Sequence, residues 1–274
     1  MKLKHIALRV AFCVFLFFFL AYFVLSFEPV GFVRPLGEFY LYSSFNADNQ
    51  TWWSGSPNAV TGLLWDYRGF DTLFETMVFY VGIVAVSEFF ERSAPLRSKG
   101  GMSLIVRAST KLIFIFIITS AIAITIFSVK TPGGGFQGGA ILAIAYVSIL
   151  VALSRDFLPT IRINPRNAHL FKMIGLSIIS IFAIAPIMFS IITGLDAYAL
   201  QNLPKSWAPF GYLPFWGLQS LSGGNIIPIQ IGEMIHVGMG FTVIFLLLTP
   251  KDNSLAGEEG QTGKGTEDTG REGK

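Results

Sequence analysis

The feature that most constrains this chain is its succession of long apolar runs. A hydrocarbon core about 30 Å thick is crossed by about 20 predominantly apolar residues of helix. Backbone inside that core must also satisfy its own hydrogen bonds, so the spans must be helices or a closed barrel. Four runs reach this length without a charge: residues 10–27, 112–129, 136–153 and 173–195, the last interrupted only by Pro186. Two more contain ionisable residues: 73–90 carries Glu75 and Glu88, and 226–249 carries Glu233 and His236. With 52% hydrophobic and only 14% charged residues, the chain is too apolar for an ordinary soluble domain. The expectation is an all-α integral membrane protein of about six transmembrane helices.

The first run follows Lys2, Lys4 and Arg9, which raises the alternative of a cleaved secretory signal. The run is long for a signal core, and no small-x-small cleavage site follows in Leu25-Ser26-Phe27-Glu28-Pro29. It reads as a retained anchor.

Six helices place both termini on one side, which the distribution of Lys and Arg tests. One side receives Lys2, Lys4, Arg9, Arg92, Arg97, Lys99, Arg107, Lys111, Arg155, Arg162, Arg166, Lys172 and the four basic residues of the tail. The other receives Arg34, Arg68, Lys130 and Lys205. This asymmetry predicts cytoplasmic N- and C-termini in a plasma-membrane protein, and it argues for keeping both charged runs as helices. The tail 251–274, nearly free of apolar residues, is predicted to be disordered. All five tryptophans (Trp52, Trp53, Trp65, Trp207 and Trp216) fall in two long outer connections, near 28–70 and 196–225. Such residues either lie along the membrane boundary or a neighbouring subunit, or pack as the cores of the loops themselves.

Several function classes lack support. The single cysteine, Cys13, cannot build an Fe–S or structural zinc site. No nucleophile–base set, phosphate loop or cofactor ligands are recognisable, so no catalytic residue, metal site or cofactor is assigned and the chain is not read as an enzyme by itself. The net charge of +3 is no nucleic-acid signal. No inverted repeat of the kind that builds autonomous transporters is visible.

Two segments stand apart from membrane filler. TPGGGFQGG, residues 131–139, lies in a short turn between two runs. Pro132 ends one helix, and Gly133, Gly134, Gly135, Gly138 and Gly139 permit tight backbone. Gly135, Gly139 and Ala143 recur every four residues as a small-residue stripe. No P-loop is present, because the Lys-Ser/Thr after the last glycine is missing. The motif reads as a tight hairpin for close packing or as part of an ion passage, with Lys130 a candidate. DYRGFDTLFE, residues 66–75, leads into the second run. Asp66, Arg68 and Asp71 cluster outside the apolar stretch, and Glu75 lies about 6 Å farther in. A carboxylate at that depth is a functional candidate by default, unless Arg68 neutralises it. Glu88, beside Glu91 and Arg92, reads as interfacial.

Glu233 and His236 stand three residues apart on one helix face, about 7–8 Å beyond Pro228. A carboxylate beside an imidazole relays protons or makes an interhelical hydrogen bond. By the predicted orientation Glu75, Lys130, Asp196, Glu233 and His236 share the outer half of the membrane. They are the candidates for a hydrated half-path for Na+ or H+.

TPGGGFQGGAILA closely resembles the signature of the MnhB/MrpB family, one of the components of the multisubunit Na+/H+ antiporters of the Mrp/Mnh type. Residues 101–250, with four helices, have the size of that component. Residues 1–100, with two helices, resemble the C-terminal membrane segment of the large MrpA-type component. That segment is a small separate protein in membrane-bound hydrogenase complexes. Its pattern Asp-x-Arg-x-x-Asp-Thr-x-x-Glu is met by Asp66, Arg68, Asp71, Thr72 and Glu75. The chain departs from the family at Phe74, where Gly is usual, and at Lys130 and Thr131, where His or Asn commonly precedes the glycines. The resemblance implies a fused membrane component of an Mrp-type module that exchanges Na+ for H+. It also implies partners of the MrpA, MrpC, MrpD, MrpE, MrpF and MrpG types, and hydrogenase-like redox subunits carrying Fe–S clusters. A non-conducting scaffold joining the proton and sodium modules is the alternative.

Overall fold

The computed structural model describes residues 2–26, 33–91, 102–153, 163–211 and 224–249. The predicted tail disorder, Trp216 and the basic residues Arg92, Arg97, Lys99, Arg155 and Arg162 lie outside the described residues. The chain divides into two compact units, Met1–Phe39 and Tyr40–Lys274. The first contains α1 (Lys2–Leu25), an unbroken helix without Pro or Gly, and the start of α2 (Pro35–Ser44).

The second unit holds α3 (Ala59–Gly62), α4 (Gly69–Glu91), α5 (Leu104–Ile126), α6 (Gly135–Leu153), α7 (Pro165–Thr193) and α8 (Ile226–Leu248). Helices α4 to α8 are each long and apolar enough to cross a membrane, and Val10–Leu25 forms a shorter apolar stretch in α1. The expected membrane architecture is therefore present. The outer connection near 28–70, expected as a loop, carries α2, α3 and a widened π turn at Leu63–Tyr67.

Three helices begin earlier than hydropathy predicts, at 69, 104 and 165 rather than 73, 112 and 173. For α7 the reason is capping. Asn164 accepts the Asn167 N–H at 2.8 Å and Pro165 occupies the first helical position, so α7 starts before its apolar stretch. Arg107, Lys111, Arg166 and Lys172, counted above as connection residues, are therefore helical. Gly194, left-handed at φ 72°, closes α7.

Helix α8 is the hub, packed by α4, α5, α6 and α7. Within its apolar stretch 61% is buried, against 22–44% in the other four spans. Small residues permit this: a Cβ on Gly232 would stand 2.8 Å from the Gly175 carbonyl oxygen, and one on Gly238 would stand 2.8 Å from Leu142. One buried cluster joins Ile83, Leu142, Ile149, Met234, Val243 and Leu246; a second joins Trp65, Val129, Ile179, Leu200, Ile226 and Ile229.

A cap of connections covers the end where α4, α6 and α8 begin and α5 and α7 finish. Asn58 Nδ2 donates to the Ser128 carbonyl at 2.7 Å, and Thr61 Oγ1 donates to the same oxygen at 2.9 Å. Pro186 inside α7 withholds the N–H that would reach Phe182, four residues earlier. Asn225 Nδ2 donates to the Phe182 carbonyl instead, at 2.8 Å, and the Leu200 N–H reaches Ala183 at 3.0 Å. Helix α7 is thus tied to the cap beside its proline, through the Phe182 carbonyl that Pro186 leaves without a helical donor and through the Ala183 carbonyl. Trp53 and Trp65 are buried in this cap, whereas Trp52 and Trp207 are exposed and pair at 5.8 Å.

Candidate functional site

At the capped end a cavity of about 340 Å³ opens between the starts of α4, α6 and α8 and the π turn. Glu75 and Glu233 both line it, with Thr61, Thr72, Thr76, Gln137 and Gln230. Gly133 and Gly134 form part of its wall. The two carboxylates, 158 positions apart in the chain, stand close enough for their charges to interact.

The glycine motif shapes this wall. Gly133 has φ 150°, and a Cβ there would press 2.8 Å from the Ile124 carbonyl oxygen, so the turn after Pro132 requires glycine. Gly135 begins α6 directly against α8: a Cβ would lie 2.5 Å from the Gln230 carbonyl oxygen and from Glu233 Oε2. The Gly135 N–H donates to Gln230 Oε1, and the Phe136 N–H donates to Glu233. Free amides at the positive end of a helix favour negative charge, and these are occupied by the chain's own Gln230 and Glu233. Gly138 and Gly139 lie one turn farther along, against Thr125 of α5 and Val237 of α8.

Glu75 is exposed and Glu233 buried. Thr72 Oγ1 donates to the Leu64 carbonyl at 2.7 Å, which fastens α4 to the π turn. The lining supplies carboxylate, amide and hydroxyl oxygens, the donor set that suits a hard cation or a proton. No group of three or more His, Cys, Asp or Glu among the described residues could hold a metal ion.

The other candidates are distributed differently. His236 lies one turn deeper than Glu233, outside the lining, fully buried between the rings of Phe79 and Tyr80. Lys130 is exposed after α5, Asp196 is exposed after α7, and neither lines the cavity; Glu88 is exposed near the other end of α4. The expected Asp66–Arg68–Asp71 cluster is split. Arg68 pairs with Asp71 on the surface and makes no ion pair with Glu75. Asp66 turns inward to Lys205 at 2.9 Å, and both side chains are almost wholly buried. It also accepts from the Asn202 N–H at 2.8 Å and the Tyr198 hydroxyl at 2.9 Å. Burial pushes the Asp66 carboxyl up, against the pull of Lys205 and these donors. Burial likewise pushes the Lys205 ammonium down and, with the Asp66 charge beside it, the Tyr198 hydroxyl up.

Sequence reasoning missed Gln137, Gln230, Lys172 and Lys205. Gln230 stands three residues before Glu233, the same spacing that singled out His236, and was recognisable from it. Lys205 carried no such signal, because its partner is 139 positions away.

Residues 105–243 match the family model for a domain related to the MnhB subunit of Na+/H+ antiporters. An uncharacterized protein of Methanocaldococcus jannaschii is 24% identical over 222 residues, spanning 71% of this chain and 78% of its own length. Among solved structures, a chain of the archaeal membrane-bound sulfane sulfur reductase, a respiratory membrane complex, matches with a TM-score of 0.63 and 23% identity. That match covers 90% of this chain and 98% of the other. A chain of the Mrp complex from Dietzia sp. DQ12-45-1b matches with a TM-score of 0.59 and 17% identity, over 92% of this chain and 26% of that one.

Proposed function

We infer that this chain, which belongs to the family related to the MnhB subunit of Na+/H+ antiporters, is a membrane component of an Mrp-type antiporter module within a larger respiratory complex. In this reading it contributes directly to cation translocation. The observation that carries the proposal is the convergence of Glu75 and Glu233 on one cavity walled by the glycine motif. Two neighbouring carboxylates at the edge of a low-dielectric bundle repel one another, and a proton or a Na+ relieves that repulsion. Competition between the two for one site is the elementary requirement of exchange. The basic-residue asymmetry supports an orientation with cytoplasmic termini, so that the cavity opens outward. The partners are proteins of the MrpA, MrpC, MrpD, MrpE, MrpF and MrpG types, with redox chemistry housed in other chains. The match of 92% of this chain to part of a single longer chain supports the fused organisation.

The test is single replacement of Glu75 and Glu233 by Gln in the intact complex, reconstituted into vesicles and assayed for Na+-driven proton movement. Each variant is expected to assemble and to lose transport by at least about tenfold, since one charge at a shared site is worth about 1.4 kcal/mol or more. Unchanged transport in both would remove the carboxylates from the path. The tight seating of Gly135 and Gly139 against α8 favours a second reading, a non-conducting scaffold. A scaffold tolerates both Gln variants and fails to assemble when either glycine is made bulky.

A further inference from the structure

Behind the carboxylate cavity lies a second polar cluster, contributed by buried Lys172 of α7 and His236 of α8 and by half-buried Tyr80 of α4. It forms where α7 and α8 cross at Gly175: a Cβ there would stand 2.6 Å from the Gly232 carbonyl oxygen and 2.6 Å from the His236 backbone nitrogen. The crossing sets His236 Nδ1 3.0 Å from the Lys172 carbonyl oxygen. A carbonyl only accepts, so Nδ1 carries the hydrogen, and a neutral ring leaves Nε2 with a bare lone pair. Nε2 is buried and accepts no hydrogen bond. It lies on the side of the Thr76 backbone, and the Thr76 side chain lines the cavity.

Lys172 lies seven residues into α7, about 10 Å along its axis, and is only 1% exposed. Its Nζ sits 4.4 Å from the centroid of the Tyr80 ring, and that ring stacks on His236 at 6.0 Å. Among the described residues no carboxylate pairs with it. A cation–π contact compensates only part of the cost of burying an ammonium. A lysine serving only as packing would be replaced by an apolar residue at no loss, so its position asks for an electrostatic role.

We propose that His236 and Lys172 form a proton-holding station behind the cavity, in which His236 Nε2 accepts the proton and the Lys172 ammonium bars metal cations from moving deeper. Around His236 stand Lys172 from α7 and Tyr80 from α4, with Glu233 one turn earlier on its own helix and Glu75 beyond it, on the cavity that Glu233 lines. A proton passing from the Glu233 carboxyl to Nε2 leaves a carboxylate facing the cavity and an imidazolium behind it. The positive station and a cavity cation then disfavour one another, which couples proton occupancy to Na+ affinity. This inference rests on reading the cavity as a cation site.

The test uses Lys172→Met, Lys172→Arg and His236→Gln in the intact complex. At an effective dielectric of about 20, a unit charge within about 12 Å of a cation is worth about 1.4 kcal/mol or more, at least about tenfold in affinity. Lys172→Met is therefore expected to tighten the apparent Na+ affinity of transport about tenfold, Lys172→Arg to leave it within about twofold, and His236→Gln to flatten its pH dependence. Assembled variants with wild-type Na+ affinity and pH profile overturn the proposal. If Lys172→Met does not assemble, nitrogen NMR of histidine-labelled wild-type complex decides, with His236 identified by its loss in His236→Gln. Its Nε2 signal must move with pH and with Na+; a fixed signal overturns the station. That measurement reports on His236 even where the Gln variants at Glu75 and Glu233 leave transport unchanged, so the two readings fail separately.

Discussion

The buried pair between Asp66 and Lys205 offers a quantitative test of how the cap is held. The two side chains are 0% and 2% exposed and meet at 2.9 Å. Lys205 Nζ also donates to the Trp53 carbonyl at 2.6 Å, so one ammonium joins three separate stretches of the cap. Removing either partner leaves an uncompensated charge in a dry site, which costs about 3–5 kcal/mol. Asp66→Ala further strips the acceptor from the Asn202 N–H and the Tyr198 hydroxyl, and belongs at the upper end. Removing both charges is far cheaper. Asn at 66 keeps an oxygen for those donors and Met at 205 keeps the volume, so Asp66→Asn with Lys205→Met is expected to cost about 1 kcal/mol. Hydrogen exchange of the Asn202 amide reads the opening free energy locally. At 1.4 kcal/mol per decade, Lys205→Met is expected to accelerate it by about 100-fold or more, and the double variant by less than about tenfold. A double variant that exchanges as fast as the sum of the single effects would show that the charges are not coupled and would refute this account of the cap.

Two further outcomes follow from packing. Gly139→Leu drives a side chain into Val237 and the Met234 carbonyl, 2.7 and 2.9 Å from its Cβ. It is expected to cost at least about 1–3 kcal/mol and to be recovered from membranes without its partner proteins in a pull-down. Asn225→Ala removes the donor that serves the Phe182 carbonyl and is expected to lower thermal stability by about 1–3 kcal/mol. Pro186→Ala in the same chain restores a helical N–H to that carbonyl and should recover part of the loss; no recovery in the melting midpoint would refute this account of how the Phe182 carbonyl is served.

Much of the membrane architecture was legible because hydropathy integrates over some twenty residues and tolerates local error. Helix starts were less legible, because they are set by single residues such as Asn164 and Pro165 rather than by the apolar average. Taking Lys172 for a connection residue followed directly from this. An apolar-run criterion stops at the first charge, whereas the backbone continues its hydrogen-bonded spiral through it. The cap was illegible for a different reason. Asp66 and Arg68 stand two residues apart and suggested a shared cluster, yet the π turn ends between them. One side chain points into the fold and the other to solvent.

The polar residues of α8 show why hydropathy and function diverge in such a chain. Gln230, Glu233, His236 and Thr242 lower the apparent lipid affinity of the run, and on that measure it was among the weaker spans. Yet all four are buried, because α8 meets four other helices and presents these groups to protein rather than lipid. A hydropathy scale prices each residue as though lipid surrounded it, which holds for a peripheral helix and fails for a hub. The polar interruptions of α8 mark where neighbouring helices supply partners: the Gly135 and Phe136 amides for Gln230 and Glu233, and the Lys172 carbonyl for His236. His236 Nε2 is left without one and, among the described residues, shares that state only with Ser128 Oγ and Asn225 Oδ1 at the capped end.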